Sequence, residues 1–419
     1  MYFTLTGINH HSAPIEVRER AAINTEALPA ALLRLRQYAP HSIILSTCNR
    51  TEIYAAGPHA ADVSGACTRY LRDALQVTEG SLATYIYTAS GEALFRHLCS
   101  VACGLDSMVI GEYEVLGQVR QALTAAEKAG MVNLPLRHLF EGAIRSGRRA
   151  REETGISKNA LSISSIAVNK ALAIITDISN AKIIIIGAGE AGRLALRIAR
   201  SRGAGGLVVV SRTEQRAVGL AVQYGARPVS HDQLIAEMRD ADIVITCAAS
   251  PHPVLHYKQV SEAIDGRSGL PLVILDIAMP RNVEPSVQEL PGVHLYNIDD
   301  LNHIAEGHRL ERETEVRAVE RIIGEEVAML LKWWQSYNAR PVIKSLMQRA
   351  EQIRSKQYGR SVKKLPALSG EERQAIDLLT RSIVDKILRE PIMFLKSGAG
   401  KDGSEVISRL FGLDDESEP

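Results

Sequence analysis

Hydrophobic and polar positions follow two different rhythms along this chain, and the change between them divides it. Up to about residue 155, short apolar runs alternate with stretches of helical period. Tyr2 to Ile8, Ile43 to Ser46, Glu52 to Ala56 and Tyr85 to Thr88 read as strands. Ala27 to Tyr38, with Leu28, Leu32, Leu33 and Leu35 apolar, reads as a helix, as do Asp62 to Leu75 and Gly91 to Cys103. This order predicts an α+β domain with helices on one face of an antiparallel sheet. Helical patterns continue through Leu116 to Ala129 and Leu136 to Glu153.

From Lys182 the pattern becomes βαβ. Ile183 to Ile186, Leu207 to Val210, Ile243 to Thr246 and Leu272 to Leu275 are near-continuous apolar strands separated by helical segments, which predicts a parallel sheet covered on both faces. No proline falls between Pro291 and Pro341, so a helix capped by Asp299 or Asp300 is expected to run to about Trp334. At 1.5 Å per residue that is roughly 50 Å. Its charged first half cannot be buried on all sides, which suits a helix bridging domains. Pro341 to Leu413 is helical by pattern, with a linker at Lys364 to Gly370 and a glycine-rich break at Ser397 to Gly403. The predicted class is therefore a multidomain α/β and α+β protein. It comprises an α+β catalytic domain (1–155), a Rossmann nucleotide-binding domain (156–298), and a long connecting helix with an all-helical domain (299–419).

Composition narrows the function classes. The 419 residues are 46% hydrophobic and 23% charged, with a net charge of +1, so bulk charge gives no argument for nucleic acid. No apolar run approaches the ~18 residues of a membrane span, and the N-terminus lacks a basic segment followed by an apolar stretch, so no export signal is expected. The five cysteines then read as free thiols in a reducing, cytoplasmic setting. Cys99 and Cys103 stand four apart on a predicted helix, but no further Cys or His pair completes a metal site, so no metal is expected. Local charge is less even. Arg340 to Lys364 carries eight Lys/Arg against Glu351, and Arg137 to Arg151 five arginines against Glu141. Either stretch could meet phosphates or be a solvated helix face.

Gly187-Ala188-Gly189-Glu190-Ala191-Gly192 is GxGxxG between a predicted strand and a predicted helix, the context that makes the motif informative. The glycines allow a tight turn, approach of pyrophosphate and close helix packing. At the end of the second strand stands Ser211-Arg212-Thr213, where NAD-preferring proteins carry an acidic residue. A guanidinium and two hydroxyls fit a 2′-phosphate, so NADPH is the expected cofactor.

Among the cysteines, Cys48 alone has a cation, Arg50, and several small polar groups beside it. Such a setting lowers a thiol pKa from about 8.5 and makes a nucleophile. His97 lies on the apolar stripe of its helix, where a satisfied core histidine is the commoner reading. The segment Gly104 to Gln118, with Ser107, Glu112, Tyr113, Glu114 and Gln118, offers a polar lining for a substrate pocket.

At these residues the chain resembles the glutamyl-tRNA reductase family. The matches are Gly7-Ile8-Asn9-His10 with Ala13-Pro14, Ser46-Thr47-Cys48-Asn49-Arg50-Thr51-Glu52, His97, Gly104 to Gln118, Gly187 to Gly192, and Asp276-Ile277-Ala278-Met279-Pro280-Arg281. A C-terminal Leu410-Phe411-Gly412-Leu413 is similar too. Tyr113-Glu114 and Asn282 depart from the family's pattern. The resemblance implies NADPH-dependent reduction of glutamyl-tRNA to glutamate-1-semialdehyde with release of tRNA, opening tetrapyrrole (haem) synthesis. In that reading Cys48 forms a glutamyl thioester and Arg50 holds the γ-carboxylate. Thr47, Asn49, Ser107 and Gln118 bind the amino group and ester, and His97 protonates the leaving ribose oxygen or orients the acyl group. It also implies a homodimer, to which Trp333 and Trp334 with Val327, Leu330 and Leu331 would contribute, and a hand-off to an aminomutase. The nucleotide domain is expected to swing about Glu152 to Asn159 and the start of the long helix. The alternatives are a cysteine-dependent NADP reductase of a small acyl phosphate or thioester, and a silent tRNA-binding scaffold.

Overall fold

Strand β1 (Tyr2–Asn9) lies between β3 (Arg50–Gly57) and β4 (Tyr87–Ser90), and β2 (Ser42–Ser46) adds on to β3, giving an antiparallel sheet of order β2-β3-β1-β4. The computed structural model describes residues 1–75, 84–157, 163–175, 177–265, 267, 271–301, 313–397 and 400–413. Contacts group them into two compact units, 1–326 and 327–419.

Every residue of β3 is buried, so this sheet is covered on both faces, not on one as the strand pattern suggested. Period-two alternation assigns the partners. Phe3 meets Phe95 of α4 (Gly91–Cys103) edge-on at 5.5 Å between ring centroids, and Tyr54 meets Phe140 of α6 (Leu134–Glu153) at 5.2 Å. On the other face Ile8 packs with Ala21 of α1 (Ile15–Ala21), and Gly57 touches Val63 of α3 (Ala60–Leu75). Helix α2 (Leu28–Leu35) joins that side through the hydrogen bond from the Tyr70 hydroxyl to the Ala31 carbonyl, and α5 (Glu114–Lys128) flanks β2. Alternation alone could not announce the second cover, because the buried residues of that face include threonines.

After α7 (Ile163–Ile174) the second half of unit 1 is a six-stranded parallel sheet. Its strands are β5 (Lys182–Ile186), β6 (Gly206–Val210), β7 (Arg227–Val229), β8 (Ile243–Thr246), β9 (Leu272–Asp276) and β10 (Val293–Asn297). Their order, β10-β9-β8-β5-β6-β7, is the doubly wound dinucleotide-binding arrangement. Helices α8 (Glu190–Ser201), α9 (Glu214–Tyr224), α10 (Leu234–Met238) and α11 (Tyr257–Ile264) connect the strands. Alternate faces feed two cores, Ile183, Ile185, Val209 and Ile245 on one side and Ile184, Val208, Val244 and Ile274 on the other. Strands β7 and β10 escaped the sequence reading, since exposed Arg227, Pro228 and His294 break their apolar pattern.

Helix α12 (Glu313–Lys364) is 52 residues long, about 78 Å at 1.5 Å per residue. Pro341 lies inside it and does not end it, contrary to expectation. The ring forfeits one backbone hydrogen bond, while the following Val342, Ile343 and Leu346 pack into the core of unit 2 with Leu388 and Leu395. The expected caps are also reassigned. Asn297 Oδ1 accepts from the Asp299 N–H at 2.8 Å and the Asp300 N–H at 3.2 Å, which leaves the Asp299 carboxylate for another partner. Residues 302–312, and Asn159 in the expected hinge, lie outside the described residues. Helix α13 (Gly370–Lys396) starts with a capping box in which Ser369 and Glu372 exchange hydrogen bonds, and α14 (Gly400–Leu410) follows. No helix among the described residues is long and apolar enough to cross a membrane.

One close approach sets the floor of the first domain. A Cβ on Gly147 of α6 would lie 2.5 Å from the Ala102 carbonyl oxygen of α4. Gly147→Ala is expected to force these helices apart and cost about 1–3 kcal/mol, read as a lower urea midpoint at unchanged slope.

Candidate active site

Alternation along β3 puts Arg50, Glu52 and Tyr54 on the face covered by α4, and there they build a buried charged cluster. Arg50 Nη1 donates to Glu52 Oε1 and to Asp106 Oδ2, each at 2.8 Å, and Nη2 donates to the Asp106 carbonyl. Glu52, fully buried, also accepts from the Tyr54 hydroxyl at 2.5 Å, from the Tyr87 hydroxyl, and meets His97 Nε2 at 2.9 Å. Burial alone would raise the Glu52 carboxyl. The Arg50 and His97 charges with their hydrogen bonds outweigh it and hold the carboxyl well below the ordinary range. Burial works against the His97 imidazolium, yet the Glu52 charge and hydrogen bond lift it above its usual value. His97 is therefore satisfied by Glu52 and its protonated form is favoured, the form able to donate a proton.

Cys48 lies in the turn between β2 and β3. Thr47 Oγ1 shapes that turn by accepting from the Asn49 N–H at 3.1 Å and the Arg50 N–H at 3.3 Å. The thiol packs against a buried cluster of Ile15 and Met108 from the first domain and Ile298 from the nucleotide half, against which Ile163 and Met279 also pack. Burial pushes it up to about 12. The Glu112 and Glu114 carboxylates add to this rise, and Arg18 opposes it. The expectation that Arg50 lowers this pKa fails, because its charge is spent on Glu52 and Asp106. In this arrangement Cys48 is a half-buried, neutral thiol.

The polar segment after α4 reaches the same place. Burial raises Glu112 to about 7 against the Ser107 hydrogen bond, with the Glu114 charge adding to the rise. Glu114 is raised by burial and by Glu190 of the glycine loop. Its Oε1 and the Oδ1 of Asn49 are buried with no hydrogen-bond partner among the described residues. Tyr113 projects outward, 63% exposed. Gln118 lines a separate cavity of about 650 Å³ beside Leu28, Leu32 and Ile44, between α2, α5 and β2.

A cavity of about 480 Å³ at the ends of the parallel strands gathers Gly187, Ala188 and Gly189 with Ser211, Arg212 and Thr213. A Cβ on Gly192 would sit 2.2 Å from the Gly187 carbonyl oxygen, whereas one on Gly189 would meet open space, leaving room for a pyrophosphate. Arg216 and His231, which sequence reasoning missed, add two cationic or polar groups, and Glu26 is the single carboxylate of the lining. Glu190 instead pairs with Arg193, the Ala191 carbonyl accepts from the Ser164 hydroxyl at 3.3 Å, and Gly192 packs the helix. These residues fit a phosphorylated dinucleotide. Asn282 closes the floor. It is fully buried, and its Oδ1 accepts from the Ala248 N–H at 2.7 Å, while Asp276 holds its N–H at 2.8 Å.

Residues 6–154 match the family described as the N-terminal domain of glutamyl-tRNAGlu reductase, 169–304 match shikimate/quinate 5-dehydrogenase, and 318–413 match the glutamyl-tRNAGlu reductase dimerisation domain. The glutamyl-tRNA reductase of Roseiflexus castenholzii is 36% identical over 416 residues, covering 99% of this chain and 98% of its own. That of Natranaerobius thermophilus is 37% identical over 428 residues, covering 100% and 93%. The solved glutamyl-tRNA reductase from Methanopyrus kandleri, 30% identical, superposes with a TM-score of 0.50 over 98% of this chain and 99% of that one.

The chain belongs to the glutamyl-tRNA reductase family.

Within that family's frame, the groups that sequence reasoning left out of the site are Arg18, Glu52, Tyr87 and Asp106. Glu52 and Tyr54 were legible as strand neighbours of Arg50 at period two. Tyr87 and Asp106 carried no local signal, since they meet Glu52 and Arg50 only through the fold. The basic stretch on α6 is also committed. Arg137 pairs with Glu127, Arg145 with Glu326, Arg148 with Glu152, and Arg149 with Glu153 and Glu325, while Arg151 donates to main-chain carbonyls.

Glu52→Gln leaves Arg50 buried with half its neutralising charge and is expected to cost about 3–5 kcal/mol, the range for breaking a buried pair, measured by denaturant unfolding. Because His97 is raised above its ordinary 6.5, its pairing adds stability that is complete below that pH and fades as pH climbs through the raised value. His97→Gln is therefore expected to lower the melting temperature more at about pH 6 than at about pH 9.

Proposed function

We propose that this protein reduces glutamate esterified to its tRNA, using NADPH, through a thioester on Cys48, and releases glutamate-1-semialdehyde and free tRNA. The observation that carries the reading is a lone thiol set between the glutamyl-tRNA reductase catalytic half and a dinucleotide-binding half, with residues of both halves against it. Attack of Sγ on the ester carbonyl forms the C–S bond, breaks the bond to the ribose oxygen and frees the tRNA. A thioester accepts hydride more readily than an ester, so one hard step becomes two easier ones. His97, 20% exposed and with its protonated form favoured by Glu52, is the donor for the leaving oxygen. Glu112, raised to about 7, is suited to take the thiol proton. Asn49 Oδ1 and Glu114 Oε1 are free acceptors for the substrate's ammonium group. Arg50 is less available to the γ-carboxylate than its position suggests, since three of its N–H groups already serve Glu52 and Asp106.

Gly187, Gly189, Ser211, Arg212, Thr213 and Arg216 would hold NADPH, which supplies the hydride. The two arginines favour a 2′-phosphate over the free hydroxyl. For tRNA phosphates the exposed Lys344, Arg349, Lys356, Arg360, Lys363 and Lys364 of α12 are better placed than the paired arginines of α6. Val327 and Leu330 are already buried within the single chain, so they leave the homodimer contact to other residues. Leu378, Leu379, Ile383 and Ile387 of α13 are 47–61% exposed and form an apolar row suited to a second copy. The enzyme would act in the cytoplasm and pass its unstable aldehyde to an aminomutase, an association that a pull-down of the two proteins would test.

Cys48→Ser is expected to abolish NADPH consumption with charged tRNA, and activity near wild type would end the thioester mechanism. Arg212→Ala is expected to raise the KM for NADPH about tenfold, one charge-assisted contact to phosphate, with little change for NADH. Ile383→Glu with Ile387→Glu is expected to shift sedimentation from dimer to monomer.

A further inference from the structure

Two consecutive residues of α1 reach across to the nucleotide half with opposite charges. Arg18 Nη2 donates to both oxygens of Asp299, at 2.5 and 2.7 Å. Glu19 accepts from Arg281 through the backbone N–H at 2.6 Å, Nε at 2.9 Å and Nη2 at 3.0 Å. The charge order, plus then minus on α1 against minus and plus opposite, admits one register of the two domains. The residues covering Cys48 are anchored by these pairs. Ile298 precedes Asp299, Met279 stands two before Arg281, and Ile15 lies one turn before Arg18. Arg18 does more than clasp. Its side chain is 3% exposed, its Nε donates to the Ala13 carbonyl at 3.2 Å, and its Nη1 donates to the Cys48 carbonyl at 3.3 Å.

We propose that Arg18 is a positioning residue through which Asp299, just past the last strand of the nucleotide domain, fixes the Cys48 loop, so that docking of that domain and alignment of the nucleophile are one event. A guanidinium has five donors in a rigid plane. Seating two of them on Asp299 orients those facing Cys48 and Ala13. When the domain lifts, Asp299 leaves and Ile298 withdraws from the cluster beside Cys48, the half-buried thiol becomes more hydrated, and its loop loses a tether. Acylation then belongs to the lifted arrangement and reduction to the docked one. The proposal rests on the thioester reading only for its second measurement.

The first measurement needs no substrate. Site-resolved mass spectrometry follows alkylation of Cys48 by iodoacetamide in the full-length wild type, Asp299→Asn and Glu19→Gln proteins. Both variants are expected to react about tenfold faster, since each removes one tie holding the cover down. The second measurement follows the fate of Cys48-bound glutamate when NADPH is present. Hydrolysis adds water at the acyl carbon, breaks the C–S bond and returns the thiol with free glutamate. Reduction delivers hydride to the same carbon and expels the sulfur, giving the aldehyde. Asp299→Asn is expected to shift products from aldehyde to glutamate, and to do so more strongly than Glu19→Gln, which loosens the cover but leaves the contacts of Arg18 intact. Arg18→Lys, which retains the charge but cannot make all the contacts, should behave as Asp299→Asn and serves if that variant fails to fold. Unchanged alkylation in Asp299→Asn, or an equal product shift in Glu19→Gln, would overturn the proposal. Absence of any glutamyl adduct in the wild type would count against the thioester instead, and the alkylation arm would still decide whether Asp299 holds the cover.

Discussion

A carboxylate with no access to water, Glu52, holds the catalytic half together. Taking one charge out of solvent costs several kcal/mol unless partners replace the lost hydration, and here Arg50, His97, Tyr54 and Tyr87 do so from three different elements. The strand carrying the nucleophile turn, the helix carrying the histidine and the neighbouring edge strand are thereby tied to one point. Arg50 extends the network to Asp106 and so to the polar segment that reaches Cys48. None of these groups can move far without exposing an unpaired charge to an apolar interior. The cluster behaves as a rigid floor, and reactivity is left to what lies above it.

What lies above is a half-buried thiol whose neutral form is favoured. Burial and two carboxylates hold Cys48 protonated, and the nearest counteracting cation, Arg18, is shared with a residue of the nucleotide half. A nucleophile that must accept an acyl group from a macromolecule and later face hydride has two conflicting needs. Access favours an open site, and protection of a hydrolysable thioester favours a dry one. In the proposed reaction a cover made from the nucleotide-binding domain would reconcile them, because the same movement that excludes water would bring in the reductant.

The C-terminal unit follows different physics. A helix of 52 residues tolerates Pro341 because its downstream turns pack against α13 and α14 through Leu346, Leu388 and Leu395. Beside that packing, α13 leaves the large aliphatic side chains of Leu378, Leu379, Ile383 and Ile387 in water. An apolar row of that kind on a structured helix is costly unless another surface covers it, in keeping with the match of this region to a dimerisation domain.

The sequence alone determined the element types, the change from an antiparallel to a parallel sheet, and the glycine turn with Ser211, Arg212 and Thr213. All of these are written in periodicity and spacing over a few residues. Family motifs likewise marked Cys48 and His97. Local pattern missed the second cover of the first sheet, whose inner face is partly threonine, and the continuation of α12 through Pro341, where tertiary packing overrides a local breaker. Only the fold decided the electrostatics. Arg50, two residues from Cys48, turned out to serve Glu52 and Asp106, whereas Arg18, thirty positions away, holds the cysteine loop and pairs with Asp299, 281 positions further on. Coulomb energy and desolvation depend on distance and burial in space, and neither is encoded in the order of neighbours along the chain.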